Sequence, residues 1–403
     1  MKKLEKSVPI IRFKGFYEAW EQRKLRDIAN YRNGKAHEQV EDEDGKYTII
    51  NSKFISTNGK VQRYTNEQVE PIFDGEIAMV LSDLPNGKAL AKLFLVKEDG
   101  KYTLNQRIAG ITPNENIDPI FLNFRMNRNN YFLKFDSGVT QTNLSKSQVE
   151  NFIALYPTFD EQYKIGLFFT QLDDTIALHQ RKLDTLKRMK KGLLQQMFPN
   201  NEEKVPRLRF ADFNEKWERC KISSFARNTY GGGTPKTNVP EYWQGRIPWI
   251  QSGDLLIDSL FNIIPKKHVT GSAVKSSATK CIPANSIAIV TRVGVGKLAF
   301  IPFEYTTSQD FLSLSNLRVD SNFGTYSIYI MLQRELNNIQ GSTIKGITKS
   351  DLLEKNINKP LNRIEQERIG VSLKLLDNII TLHQSKLEKL SSLKKVYLQR
   401  MFI

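Results

Sequence analysis

The chain has 403 residues, 40% hydrophobic and 25% charged, enough for two or three domains with cores of their own. No apolar run approaches the ~18 residues of a membrane span, Met1 to Arg12 lacks the apolar centre of a secretion signal, and two distant cysteines, Cys220 and Cys281, exclude a disulfide scaffold and fit a reducing cytoplasm. Lys and Arg number 59 against 43 Asp and Glu, a net charge of +16 that points to a polyanionic partner, nucleic acid before others.

In chain order, the first pattern is Val8-Pro9, Arg12-Phe13, Phe16, Trp20-Glu21 and Lys24-Leu25. Strand-type runs bounded by Gly, Asp, Asn and Pro follow at Tyr47–Ile50, Glu76–Val80 and Lys92–Val96. Two Asp-Gly pairs, Asp44-Gly45 and Asp99-Gly100, read as hairpin turns. The polar loop from Gly138 to Lys146 precedes a short helix that Ser147 would cap. After Pro157 the pattern predicts a helix of about 35–40 residues, roughly 55 Å long. Its large residues, Leu172, Ile176, His179, Leu183, Leu186, Lys190, Leu193 and Met197, alternate steps of four and three, which is a heptad seam.

The second half writes the same text again. Val205-Pro206, Arg209-Phe210, Phe213, Trp217-Glu218 and Lys221-Ile222 repeat the opening 197 residues later. Strand runs recur at Ile287–Val290 and Leu298–Ile301, and the loop from Gly341 to Lys349 repeats the first polar loop, with Ser350 as its cap. After Pro360 a second seam runs through Leu376, Ile380, His383, Leu387, Leu390, Lys394, Tyr397 and Met401. Residues 172–198 and 376–402 are identical at 15 of 27 positions, so the chain is an internal duplication. Residues 30–135 and 228–335 share little, which reads as one scaffold bearing two different surfaces.

One such helix alone would leave its apolar stripe in water, so the two are expected to pair antiparallel. His179 and His383 are read as register-setting seam residues rather than metal ligands. The basic runs near the helix C-termini, Lys190 and Lys394 among them, are read as a solvated face that complements the helix dipole. The expected fold is α+β: a globular domain at 1–157, a spacer helix at 158–200, a second globular domain at 201–361 and a C-terminal spacer helix at 362–403, pseudo-two-fold symmetric, with the helices forming a coiled coil.

Catalytic parts are not found. There is no Asn/Asp-Pro-Pro-Tyr/Phe segment, and none of the Gly-Lys pairs at 34–35, 87–88 and 296–297 is followed by the Ser or Thr of a phosphate loop. The four histidines never meet Cys or acids at metal spacing, so no metal and no cofactor is expected in this chain. Asp44-x-Lys46 and Asp99-x-Lys101 imitate a nuclease element but are explained as turns.

Reading duplex DNA needs donors and acceptors for base edges and cations for phosphates. In the first half the candidates are Lys35, Lys53, Arg63, Lys88, Asn105, Gln106 and Arg107, with Thr140, Gln141, Thr142, Asn143 and Lys146 on the polar loop. In the second they are Thr234, Lys236, Gln251, Ser252, Arg292, Lys297 and Gln309, with Thr343, Lys345 and Lys349 on the matching loop. Trp243 and Trp249 read as core residues rather than base-stacking platforms.

Two halves, each opened by Pro-x-x-Arg-Phe-x-x-Phe-x-x-x-Trp and closed by a Gly-x-Thr loop and a helix carrying Leu-His-Gln-x-Lys-Leu, resemble the specificity subunits of type I restriction–modification enzymes along the whole chain. The resemblance implies that each half is a target-recognition domain binding one part of a bipartite DNA site, with the helices setting the spacer. It implies two modification subunits docked on the helices, bringing S-adenosylmethionine and adenine methylation, and optionally two restriction subunits bringing ATP, magnesium and cleavage. The chain ends at Phe402-Ile403, without the short tail of some relatives, which leaves closure of a circular arrangement open. A coiled-coil adaptor with sequence-indifferent DNA binding is the alternative.

Overall fold

The computed structural model describes residues 8–402 except 38, 85–86, 201 and 339–345. Contacts divide the chain into two compact units, Met1–Gln180 with Ser385–Ile403, and Arg181–Gln384.

In the first unit a four-stranded antiparallel sheet has the order Ala29–Asn33, Ile108–Pro113, Ile77–Val80, Leu93–Leu95. Beside it lies a second sheet of order Tyr64–Thr65, Tyr47–Ile50, Tyr102–Leu104, Pro71–Ile72, in which Tyr47–Ile50 runs parallel to Tyr102–Leu104. The second unit repeats this plan. Its four-stranded sheet runs Ala226–Gly231, Phe311–Leu317, Ser286–Val290, Leu298–Ile301, and a smaller sheet pairs Ile247–Ile250 parallel to Thr306–Thr307. The two middles, nearly unrelated in sequence, therefore share one topology. Ile77–Val80 and Ser286–Val290 are buried at every residue, on both faces. Such positions demand apolar volume and tolerate exchange of identity.

The Asp-Gly pairs are turns but not hairpins. Asp99-Gly100 carries the chain from Leu93–Leu95 of the first sheet to Tyr102–Leu104 of the second, and Asp44-Gly45 precedes Tyr47–Ile50, which pairs with Tyr64–Thr65 on one side and Tyr102–Leu104 on the other; in neither case do the strands flanking the turn pair with each other. Trp249 is buried and meets Trp243 edge-on at 4.9 Å between ring centroids, as core residues do.

The long helices run Phe159–Gln196 and Arg363–Met401. The repeated Arg-Phe motif exists to hold their first turns. Arg12 clamps Glu161 through Nε and Nη2, both at 2.7 Å, and Arg209 clamps Glu365 at 2.7 and 2.9 Å. Glu161 and Glu365 are fully buried, and a carboxylate in a first helical turn also meets the positive end of the helix dipole. The neighbouring Gln162 and Gln366 tie the same turn to the carbonyls of Pro157 (2.9 Å) and Pro360 (2.8 Å).

Every seam position is buried or half-buried, while Leu178, Met189, Leu382 and Leu393 are exposed. Within the first unit Lys394 donates to Asp173 at 2.7 Å; within the second Lys190 meets Asp377 at 2.6 Å. In each unit the late part of one helix thus lies against the early part of the other, antiparallel. Lys190 and Lys394 are consequently ion-paired along the seam, not on a solvated face. In the first unit the helix end is fastened at its tip: Ile11 N donates to Arg400 O (3.0 Å), and Phe402 stacks on Phe169 beside Phe121. Met197 and Phe198 fill the equivalent place in the core of the second unit. No described helix is long and apolar enough to cross a membrane.

Candidate nucleic-acid interface

In each unit three backbone ties build one end of the two sheets in the same way, and Asn105, Arg107 and the first polar loop, with their counterparts in the second unit, lie on it. First, the parallel strand pair hands over to a turn: Asn105 N donates to Ile50 O at 3.1 Å, and Ser308 N to Ile250 O at 3.0 Å. Second, the turn residues reach the segment after the central strand: Leu81 N donates to Arg107 O at 3.0 Å, and Thr291 N to Asp310 O at 2.7 Å. Third, that segment anchors the polar loop: Leu144 N donates to Leu81 O and Ile347 N to Thr291 O, both at 2.8 Å. The chain also passes closely here. A Cβ on Gly34 would collide with the carbonyl of Asn105, and one on Gly232 with that of Ser308.

The side chains on this shared frame differ. In the first unit Gln106, Arg107, Thr140, Gln141, Asn143 and Lys146 are exposed and Asn105 is half-buried. Gln141 donates to Ser82 Oγ at 2.7 Å, which brings Ser82 into the site. Lys88 is exposed on a loop whose backbone amides, Ala89 and Leu90, are gathered by the Asp83 carboxylate. Thr142 does not belong to the surface: it is buried and donates to Asp136 Oδ1 at 3.1 Å, because the loop pairs there with Ser82–Asp83 and turns alternate side chains inward. Lys53 is exposed on the helix Ser52–Ser56. Lys35 and Arg63 are exposed but answered by Glu70 (3.1 Å) and Glu41 (3.0 Å).

In the second unit Thr234 donates to Oε1 of the exposed Gln309 at 2.6 Å, and Lys236 is exposed nearby in sequence. Arg292 is exposed, 3.8 Å from Asp310. Gln251 and Ser252 are half-buried in a short turn, and Lys297 is drawn back onto the carbonyl of Ser252 at 3.2 Å. Lys349 lies half-buried, its ammonium pKa lowered by burial first and by Arg292 next. Thr343 and Lys345 fall outside the described residues. The caps sit two residues earlier than read from sequence: Ser145 accepts from Gln148 N, and Thr348 from Asp351 N. The Ser-x-x-Gln pattern at 145–148 was the signal for the first of them.

A profile of the type I restriction modification DNA specificity domain matches residues 17–188 and again 214–392. The chain belongs to this family. Membership makes it a specificity subunit of a type I restriction–modification system, with recognition of DNA sequence as its role. It is 22% identical over 401 residues to the putative MjaX specificity subunit of Methanocaldococcus jannaschii, covering 94% of this chain and 91% of that one. Over 175 residues, 40% of each chain, it is 35% identical to the EcoR124I/EcoR124II specificity subunit of Escherichia coli. The fold is that of the M. genitalium S subunit, with a TM-score of 0.65 over 98% of this chain and 99% of that one at 12% identity. A structure described as the basis of complex assembly and conformational transition of the type I R-M system aligns at 0.53, over 96% and 98%, with 16% identity.

Proposed function

We propose that each unit of this specificity subunit reads one part of a bipartite DNA target, and that the long helices fix the spacing between the parts. The carrying observation is the frame built twice from the same three backbone ties, with dissimilar polar side chains on each copy. A duplicated scaffold with divergent contacts is what two different half-sites require.

The chain itself performs no catalysis in this reading. Methylation of adenine, S-adenosylmethionine, ATP and magnesium belong to modification and restriction subunits in the cytoplasm. Two modification subunits dock on the helices. Exposed apolar residues support that placement: Leu167, Leu178 and Met189 recur every eleven residues, three helical turns apart, and Val371, Leu382 and Leu393 repeat them in the second copy.

The test exchanges residues 1–157 for the first half of another family member and maps methylated adenines in cells that supply a modification subunit. One half-site should change and the other persist. If both change together, the modular reading is wrong.

A further inference from the structure

The duplication did not divide the charge evenly. Residues 181–384 carry 30 Lys and Arg against 18 Asp and Glu, a net +12; the remaining residues carry 29 against 25, a net +4. The same imbalance is built into the two copies of the frame. In the first unit Lys146 is answered one helical turn on by Glu150 at 3.6 Å, and Lys35 by Glu70. Lys349 occupies the place of Lys146 in the second unit, but one turn on stands Leu353.

Without that acid, Lys349 turns inward over the end of the strand Ala226–Gly231. A Cβ on Gly231 would lie 2.7 Å from its Nζ, which places the ammonium directly against the strand end. Arg292 faces the same point from the segment that anchors the loop. Its one acidic neighbour, Asp310, is 3.8 Å away through Nε alone, and its side chain is 64% exposed. Lys280 is exposed on the adjoining segment, where Thr279 Oγ1 donates to the carbonyl of Gly233 at 2.8 Å, two residues from Gly231. Arg292 and Lys280 both act to drive the proton from Lys349, and Asp310 acts to keep it. Among the described residues, Lys349 has no ion pair. Two cations beside one carboxylate, with a third on the adjoining segment, leave positive charge in excess, which folding disfavours and an arriving anion relieves.

We infer that Lys349, Arg292 and Lys280 clamp a backbone phosphate of the DNA, and that the second unit supplies most of the salt-sensitive part of binding. The inference rests on the DNA-reading role proposed above. Each cation neutralised by a phosphate contact releases counterions from the duplex, so its removal has a measurable signature.

The full chain, co-purified with its modification subunit, is titrated with a target duplex and a random-sequence duplex between about 50 and 200 mM salt. Lys349→Gln and Lys280→Gln should each lower the slope of log K against log salt by about 0.9 and weaken both duplexes by the same factor. Lys349→Arg should keep the slope, which separates loss of charge from loss of packing. Lys146→Gln, whose charge Glu150 already answers, should change the slope by less than half as much. Lys221→Gln, paired with Glu354, serves as the control and should leave it unaltered. Slopes unmoved by Lys349→Gln and Lys280→Gln overturn the clamp. So does weakening confined to the target duplex, which would mark base contacts, or competition by inorganic phosphate at matched ionic strength as strong as that by duplex, which would mark a small-anion site. A wild-type complex that fails to prefer target over random duplex overturns instead the reading on which the clamp rests.

Discussion

Arg12 and Arg209 do the same work in the two units, yet their removal should not cost the same. Arg12→Ala strands Glu161, a fully buried carboxylate, with no other side-chain donor among the described residues. Breaking a buried pair in this way costs about 3–5 kcal/mol. Arg209→Ala strands Glu365 less completely, because Trp217 Nε1 still donates to its Oε1 at 3.1 Å. The matching indole nitrogen of Trp20 has no hydrogen-bond partner among the described residues. A hydrogen bond to a charged group retains about 1.5–3 kcal/mol, so Arg209→Ala should cost roughly 1–3 kcal/mol. The helix dipole acts on both carboxylates alike and cancels in the comparison. Hydrogen exchange of the amides at 163–170 and 367–374 reads the two helix starts separately within one full-length chain. The expected result is a rise in local opening about ten- to a hundred-fold greater for Arg12→Ala at the first helix than for Arg209→Ala at the second. Equal effects, or a larger effect at Arg209, would refute the argument that the indole is a second ligand of the carboxylate.

Gly370→Ala would bring a Cβ to 2.6 Å from both Asp320 Oδ1 and Phe323 N, and should destabilise by about 1–3 kcal/mol in thermal unfolding. Gly192→Ala meets open space on a helix and should instead stabilise by about 0.5–1 kcal/mol, so the opposite signs within one measurement check the packing assignment. Leu178→Glu combined with Leu382→Glu alters only exposed positions. It should leave far-ultraviolet circular dichroism unchanged while abolishing co-elution with the modification subunit; intact co-elution would move the docking surface elsewhere.

The sequence by itself determined the duplication, both long helices with their seams, the strand runs, and the first polar loop. Each of these is a local regularity, a period of two or 3.5 or a motif at fixed spacing, and neighbours in the chain suffice to specify it. Tertiary structure alone decided which strands pair: Tyr47–Ile50 lies parallel to Tyr102–Leu104, so Asp99-Gly100 joins the two sheets and neither Asp-Gly turn closes a hairpin. It also decided that the motif arginines serve Glu161 and Glu365, about 150 residues away, and that Thr142 faces inward while Gln141 and Asn143 face out. The placing of Lys349 over Gly231, on the frame that also carries Arg292, belongs to the same class, since segments distant in the chain meet there. Long-range pairing is set by the volume and charge of a partner that carries no mark in the local pattern, and a single chain read in order does not reveal which partner it chose.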